Sequence, residues 1–213
     1  MIKAHGIVRA AANRVAQAAE RTVQALSDDR IEQEPAFTDR MLGHIEEAMN
    51  GFVTKGIKWE AKTLTDRAPG AQETRHGADF IGVLHVSLPD YTVKKGFLAQ
   101  AKLVKPGAQF PLRDWRNLQD QCAKMLALSP DSYVFIYSTL GIHVIPATSI
   151  RAARHWAGQP HDFYSRTVQR FFEEHFESFI GDARISAPSI EALERLRQEF
   201  QTRRLLYLEA SLA

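Results

Sequence analysis

The order of periodic segments in this 213-residue chain predicts an α/β fold. Two amphipathic helical stretches precede a group of short β-prone segments. The apolar run "YVFIY" follows a helical stretch that comes straight after another strand, the arrangement of a crossover in a mixed sheet. Composition agrees: 45% of residues are apolar and 24% charged, within the range of a globular domain.

Residues 1 to about 26 have helical composition, with Ile7, Val8, Ala11, Val15, Ala18 and Val23 near one stripe. "SDDRIEQEP" interrupts that pattern. In "AFTDRMLGHIEEAM", Phe37, Met41, Leu42, Ile45 and Met49 recur at three- and four-residue steps, with Thr38 as the expected cap. "KGIKWEAKTL" is short and alternating, and "TDRAPGAQETRHG" reads as a loop. "ADFIGVLHVSL" and "KGFLAQAKLV" read as two strands of a hairpin joined by the longer connection "PDYTVK". The three strands are expected to form a meander. "LRDWRNLQDQCAKMLAL" is helical, with Trp115, Leu118, Cys122, Met125 and Leu126 on a stripe, and is the expected crossover to "SPDSYVFIYS". "GIHVIPA" adds a strand in which His143 alternates with apolar neighbours.

"SIRAARHWAG", "DFYSRTVQRFFEEHFESFI" and "SIEALERLRQEFQTRRLLYLEA" read as helices. The aromatics of the second are expected in the core, and the last has a seam of Ile190, Leu193, Leu196, Phe200 and Leu208. The expected division is a helical extension over 1–30, a core over 31–150 and a helical region over 151–213.

Lys plus Arg number 27 against 25 Asp plus Glu, so net charge selects no class of partner. Cys122 is the single cysteine, which excludes an internal disulfide and a cysteine-based zinc site. The alanine-rich N-terminus lacks an apolar signal core and no stretch is long enough to span a bilayer, so a cytoplasmic protein is expected. No HExxH spacing, glycine-rich phosphate loop or G-x-S-x-G elbow occurs.

The chemistry-bearing group lies on the hairpin. Leu98, Gln100 and Lys102 share one strand face. With the hairpin centred near Asp90 or Tyr91, Asp79 is expected opposite Lys102. A carboxylate, an amide and an ammonium then meet at one sheet end. That grouping suits metal-dependent phosphodiester cleavage, because Mg2+ takes oxygen ligands and needs few carboxylates. A lysine beside the metal can position or deprotonate the attacking water.

"GAD" before a strand, a hairpin, then "QAK" resembles the PD-(D/E)XK nuclease superfamily in its Q-x-K, Mrr-like variant. Residues 37 to 138 supply the matching order of helix, three strands, helix and strand, about half the chain. The resemblance implies a restriction-endonuclease-like mixed sheet with an αβββαβ core and helical extensions at both ends. It implies Asp79 as central metal ligand, Gln100 in the position usually held by an acid, and Lys102 as catalytic lysine. The carbonyl of Ala101 would be a further ligand, and Glu34, among Glu32, Asp39, Glu46 and Glu47, the acid completing a Mg2+ or Mn2+ site. In relatives the next helix often carries a glutamine facing the site, which makes Gln121 and Lys124 the candidates for DNA contact against a simple polar face. Arg75 and His76, directly ahead of Asp79, are placed either to contact phosphate or to lie in a solvated loop. The implied role is DNA hydrolysis in bacterial restriction or phage defence, with the terminal helices serving a homodimer or a regulatory partner protein. The alternative is an inactive nuclease-like fold that binds nucleic acid or a protein.

Two plainer readings stand beside this one. A hairpin can end in polar residues, with Lys102 reaching to water. The literal E-x-K of "WEAK", Glu60 and Lys62, competes for the motif, but it lacks an acid on a preceding hairpin strand.

Overall fold

A computed structural model describes residues 5–65, 76–89, 91–153, 163–187 and 189–213. Its elements are α1 (His5–Ser27), α2 (Glu34–Met49), β1 (Phe52–Thr54), β2 (Ile57–Thr65), β3 (Phe80–Leu88), β4 (Tyr91–Leu103) and α3 (Leu112–Leu128). After these come β5 (Ser132–Ser138), β6 (Gly141–Pro146), α4 (Ala147–Ala152), β7 (Arg166–Thr167), α5 (Val168–Phe176), α6 (Ile190–Glu199) and β8 (Arg204–Leu212). The α/β class expected from the sequence is the one observed.

The strands form one mixed sheet in the order β1-β2-β8-β3-β4-β5-β6-β7. Alternation along each strand sorts its side chains to opposite faces. Trp59, Phe80, Phe97, Phe135 and Leu208 meet α1, α2 and α5 in one core, to which α1 gives Val8, Ala11 and Val15. Ile81, Leu98, Val134 and Leu205 meet α3 and α6 in the other. The crossover expected of α3 is present, since β4 and β5 on either side of it pair in parallel. Of the aromatics expected in the core, Phe171, Phe172 and Phe176 on α5 are buried, whereas Tyr164 and Phe179 of the same stretch are exposed.

Four expectations need correction. Among the described residues of the helix expected over 162–180, Arg166–Thr167 is strand β7 and only Val168–Phe176 is helical. The meander is broken, because β8 lies between β2 and β3, antiparallel to one and parallel to the other. The long helix expected near the C-terminus stops at Glu199, and Arg204–Leu212 is this inserted strand. Gln201, at φ 48°, takes the left-handed turn that ends the helical path. "LLYL" is a short apolar run of the kind that periodicity cannot assign. In α6, Leu193 and Leu196 are buried in the chain's own core, so that seam faces inward. Thr38 also does not cap α2. The helix starts at Glu34, with Pro35 in its first turn, and the Thr38 hydroxyl donates to the Glu34 carbonyl within it.

β1 pairs only with residues 57–59 of β2, leaving the rest of that edge for other partners. The Ala61 N–H donates to Asn50 Oδ1 at 2.8 Å and the Thr63 N–H to Glu46 Oε2 at 3.1 Å. Glu46 therefore serves the sheet edge. Under α5, Phe97 lies over Gly82 directly across the hairpin, where a Cβ would come within 2.3 Å of the ring. Phe97 also meets Phe171 edge-on at 4.9 Å between ring centroids. Cys122 is buried, and burial pushes its thiol up to about 12.

Because Phe97 is fully buried at the centre of this cluster, Phe97→Ala should lower unfolding stability by about 3–5 kcal/mol, measured by chemical denaturation.

Candidate active site

The β3–β4 hairpin is tighter than expected. Leu88 pairs with Tyr91, so two residues, not the longer "PDYTVK", connect the strands. The register moves accordingly. Phe80 pairs with Ala99, and the Asp79 N–H donates to the Ala99 carbonyl at 2.7 Å. Asp79 therefore lies across from Gln100, two residues short of the Lys102 position expected from the sequence.

This register brings the polar groups into direct contact. Asp79 Oδ2 accepts from Gln100 Nε2 at 2.5 Å and from the Ala101 N–H at 2.8 Å. Gln100 Nε2 also donates to the Ala101 carbonyl at 3.1 Å. Gln100 is 1% exposed, and its Oε1 has no hydrogen-bond partner.

Glu34 enters from the first turn of α2. Its Oε2 accepts from the Leu103 N–H at 2.9 Å, and its Oε1 lies 3.6 Å from Lys102 Nζ. Two residues, Tyr137 and Arg204, hold that turn in place. Phe37 stacks on Tyr137 at 4.2 Å between ring centroids, and the Thr38 hydroxyl oxygen lies within hydrogen-bond distance of the Tyr137 hydroxyl, at 3.3 Å. Arg204, at the start of β8, donates to Asp39 Oδ1 at 2.5 Å, to Asp39 Oδ2 at 3.0 Å and to the Pro35 carbonyl at 3.2 Å. Asp39 is thus held by Arg204.

Glu34, Asp79, Gln100 and Lys102 form part of the wall of a cleft of about 530 Å³. Gln121 and Lys124 line it as expected. Arg75 lies outside the described residues, and His76, half-buried, is not among the lining residues. Gln119 turns away and donates to the carbonyls of Ile150 and Ala153. The sequence reading missed Arg113, Asn117, Asp120, Arg203 and Arg204, all in the lining. Arg113, Asn117, Asp120 and Lys124 recur at the steps that keep one helix face, a signal present in "LRDWRNLQDQCAK". Arg203 and Arg204 were hidden by the expected helix.

Among the described residues, no group of three or more His, Cys, Asp or Glu is arranged to hold a metal ion. A cation in this cleft would therefore draw on neutral oxygens as well as on Asp79 and Glu34. The Ala101 carbonyl and the unpartnered Gln100 Oε1 are of the right type, since Mg2+ accepts carbonyl oxygens.

The competing "WEAK" motif lies elsewhere on the sheet. Glu60 pairs with Lys58 at 2.5 Å and, with Lys62, His85, Tyr207 and Glu209, lines a separate cleft of about 330 Å³. The preceding strand β1 contains no acid.

Burial pushes both site carboxyls up. For Asp79, the Ala101 N–H and the Lys102 and Arg204 charges offset part of that rise. For Glu34, the Lys102 charge opposes the rise and the Asp79 charge adds to it. A carboxyl raised in the folded chain lowers stability when ionised, above its unfolded pKa. That cost is relieved as pH falls through the folded pKa. Asp79→Asn, melted without metal, should therefore be at least as stable as wild type at pH 7, with its advantage shrinking on acidification through the carboxylate range.

Gly77, at φ +76°, lies where a Cβ would fall 2.6 Å from the Gln121 carbonyl oxygen. Gly77→Ala should push the Asp79 segment away from α3 and lower stability by about 1–3 kcal/mol, read as an earlier denaturation midpoint.

No protein-family model, curated protein or solved structure matches this chain.

Proposed function

We propose that this chain is a metal-dependent nuclease that hydrolyses DNA phosphodiester bonds. One observation carries the reading. Asp79, Glu34, Gln100, the Ala101 carbonyl and Lys102 converge on one side of a cleft that Arg113, Lys124 and Arg203 also line. The resemblance of "GAD" and "QAK" to the Q-x-K nucleases supports it, and with it a restriction-endonuclease-like core, a cytoplasmic setting and a role in bacterial restriction or phage defence.

Asp79, Glu34, the Ala101 carbonyl and Gln100 Oε1 would hold Mg2+ or Mn2+. The bound ion supplies positive charge at the phosphate and a more acidic water. The chain's own groups do the rest. Arg113, Lys124 and Arg203 draw the phosphate backbone into the cleft, a contribution that weakens as salt rises. Glu34, 3.6 Å from the Lys102 ammonium, holds that group beside Asp79, where it orients the attacking water. The water oxygen bonds to phosphorus and releases a proton to solvent, the bond to the leaving sugar oxygen breaks, and that oxygen takes up a proton from solvent.

A second reading is a nuclease-like fold that binds nucleic acid or a protein without cutting. The neutral Gln100 and the lack of a third grouped acid among the described residues favour it.

Cleavage of plasmid and single-stranded DNA with Mg2+ or Mn2+ separates the two. Wild type should cut, and Lys102→Ala should cut about 10²–10⁴-fold more slowly. Cleavage indifferent to Lys102 would sink the assignment. Binding without cleavage by wild type would support the second reading.

A further inference from the structure

Gln100 presents its Nε2 to two oxygens at once, Asp79 Oδ2 at 2.5 Å and the Ala101 carbonyl at 3.1 Å. In the reading above, these are two of the oxygens that would hold the cation. The amide N–H groups therefore occupy the electronegative position between them, the one a cation would take. Oε1, the atom that would have to ligate, is buried and unpartnered. Half a turn of the terminal amide exchanges the two atoms. That exchange is easy for a primary amide, whose two ends have nearly the same size.

The charges around the cleft point the same way. Lys102, Arg113, Lys124, Arg203 and Arg204 line it with Glu34, Asp79 and Asp120, so cations outnumber carboxylates. Arg204 is matched by Asp39, and Lys102 lies against Glu34. A free divalent cation meets an amide in its place and a net positive wall. A polyanion meets attraction. Once a phosphate has entered, its oxygens add negative charge beside Asp79, and the balance turns in favour of the metal.

The geometry points to linked loading of this site: Gln100 is the group that keeps it from holding a divalent cation until a nucleic-acid phosphate is bound beside it. Phosphate and metal then enter as a thermodynamic pair, each tightening the other by the same factor. A glutamate at residue 100 would remove the amide donor and add a carboxylate, so the cation would bind without help. The inference rests on the proposed metal-dependent nuclease reading.

The test measures Mn2+ affinity of the full chain by electron paramagnetic resonance, with and without a saturating phosphorothioate oligonucleotide that resists hydrolysis. Wild type should bind Mn2+ at least about tenfold more tightly with the oligonucleotide present, within the usual range of coupling between sites. Gln100→Glu should bind Mn2+ tightly alone, and the oligonucleotide should improve that by less than about threefold. The wild-type comparison stands whether or not the variant folds, which its melting curve reports. Equal wild-type affinity in both conditions overturns the inference, as does an undiminished gain in a folded Gln100→Glu variant. Wild type that holds no Mn2+ in either condition overturns the nuclease reading itself, a separate result.

Discussion

The two-sided pairing of β8 is the constraint on which the architecture rests. It hydrogen-bonds to β2 along Ile57–Thr65 and to β3 along Phe80–Ser87, so neither neighbour can close the sheet without it. Its side chains feed both cores, Leu206 and Leu208 on one face and Leu205 on the other. The same strand begins at Arg204, which ties the first turn of α2 to the sheet through Asp39 and Pro35. Glu34 precedes Pro35, so its approach to Lys102 depends on that tie. Sheet order and cleft geometry therefore share one cause.

Electrostatically, the cleft keeps its acids against the preference of the interior. Asp79 and Glu34 are pushed up by burial, and the N–H groups of Ala101 and Leu103 with the Lys102 charge only partly restore them. Polar groups that weaken a fold and yet converge in a cleft are the usual sign of a site shaped for binding or chemistry. The cluster of Glu60, His85, Tyr207 and Glu209 differs. Tyr207 donates to Glu209 and lies 3.1 Å from His85, and Lys58 matches Glu60, so its polar groups satisfy one another.

Local pattern made much of this legible. The stripe of Phe37, Met41, Leu42 and Ile45 gave α2, and the alternation of "GFLAQAK" put Gln100 and Lys102 on one face. Convergence of Asp79, Gln100 and Lys102 at one sheet end followed from the hairpin alone, although its register was two residues off because the turn is shorter than "PDYTVK" suggests. Sequence distance hid the rest. No local signal says that Leu205 and Leu206 pair with strands more than a hundred residues earlier, and a helical start in "SIEALERLRQEF" extends smoothly into "QTRRLLYLEA". Arg203 and Arg204 were lost with that strand. Thr38 looked like a cap because Thr often is one, yet Pro35 starts the helix earlier.

The Asn50 and Glu46 side chains that satisfy the Ala61 and Thr63 N–H groups have a colloidal consequence. An unpaired strand edge is a template on which another chain can add a strand. At β2 two of the donors that such an intruder would need are already engaged, and at the opposite margin β7 is only two residues long. Along this part of β2 an added strand would therefore lose the Ala61 and Thr63 donors, and β7 offers it only a two-residue ladder at the other margin.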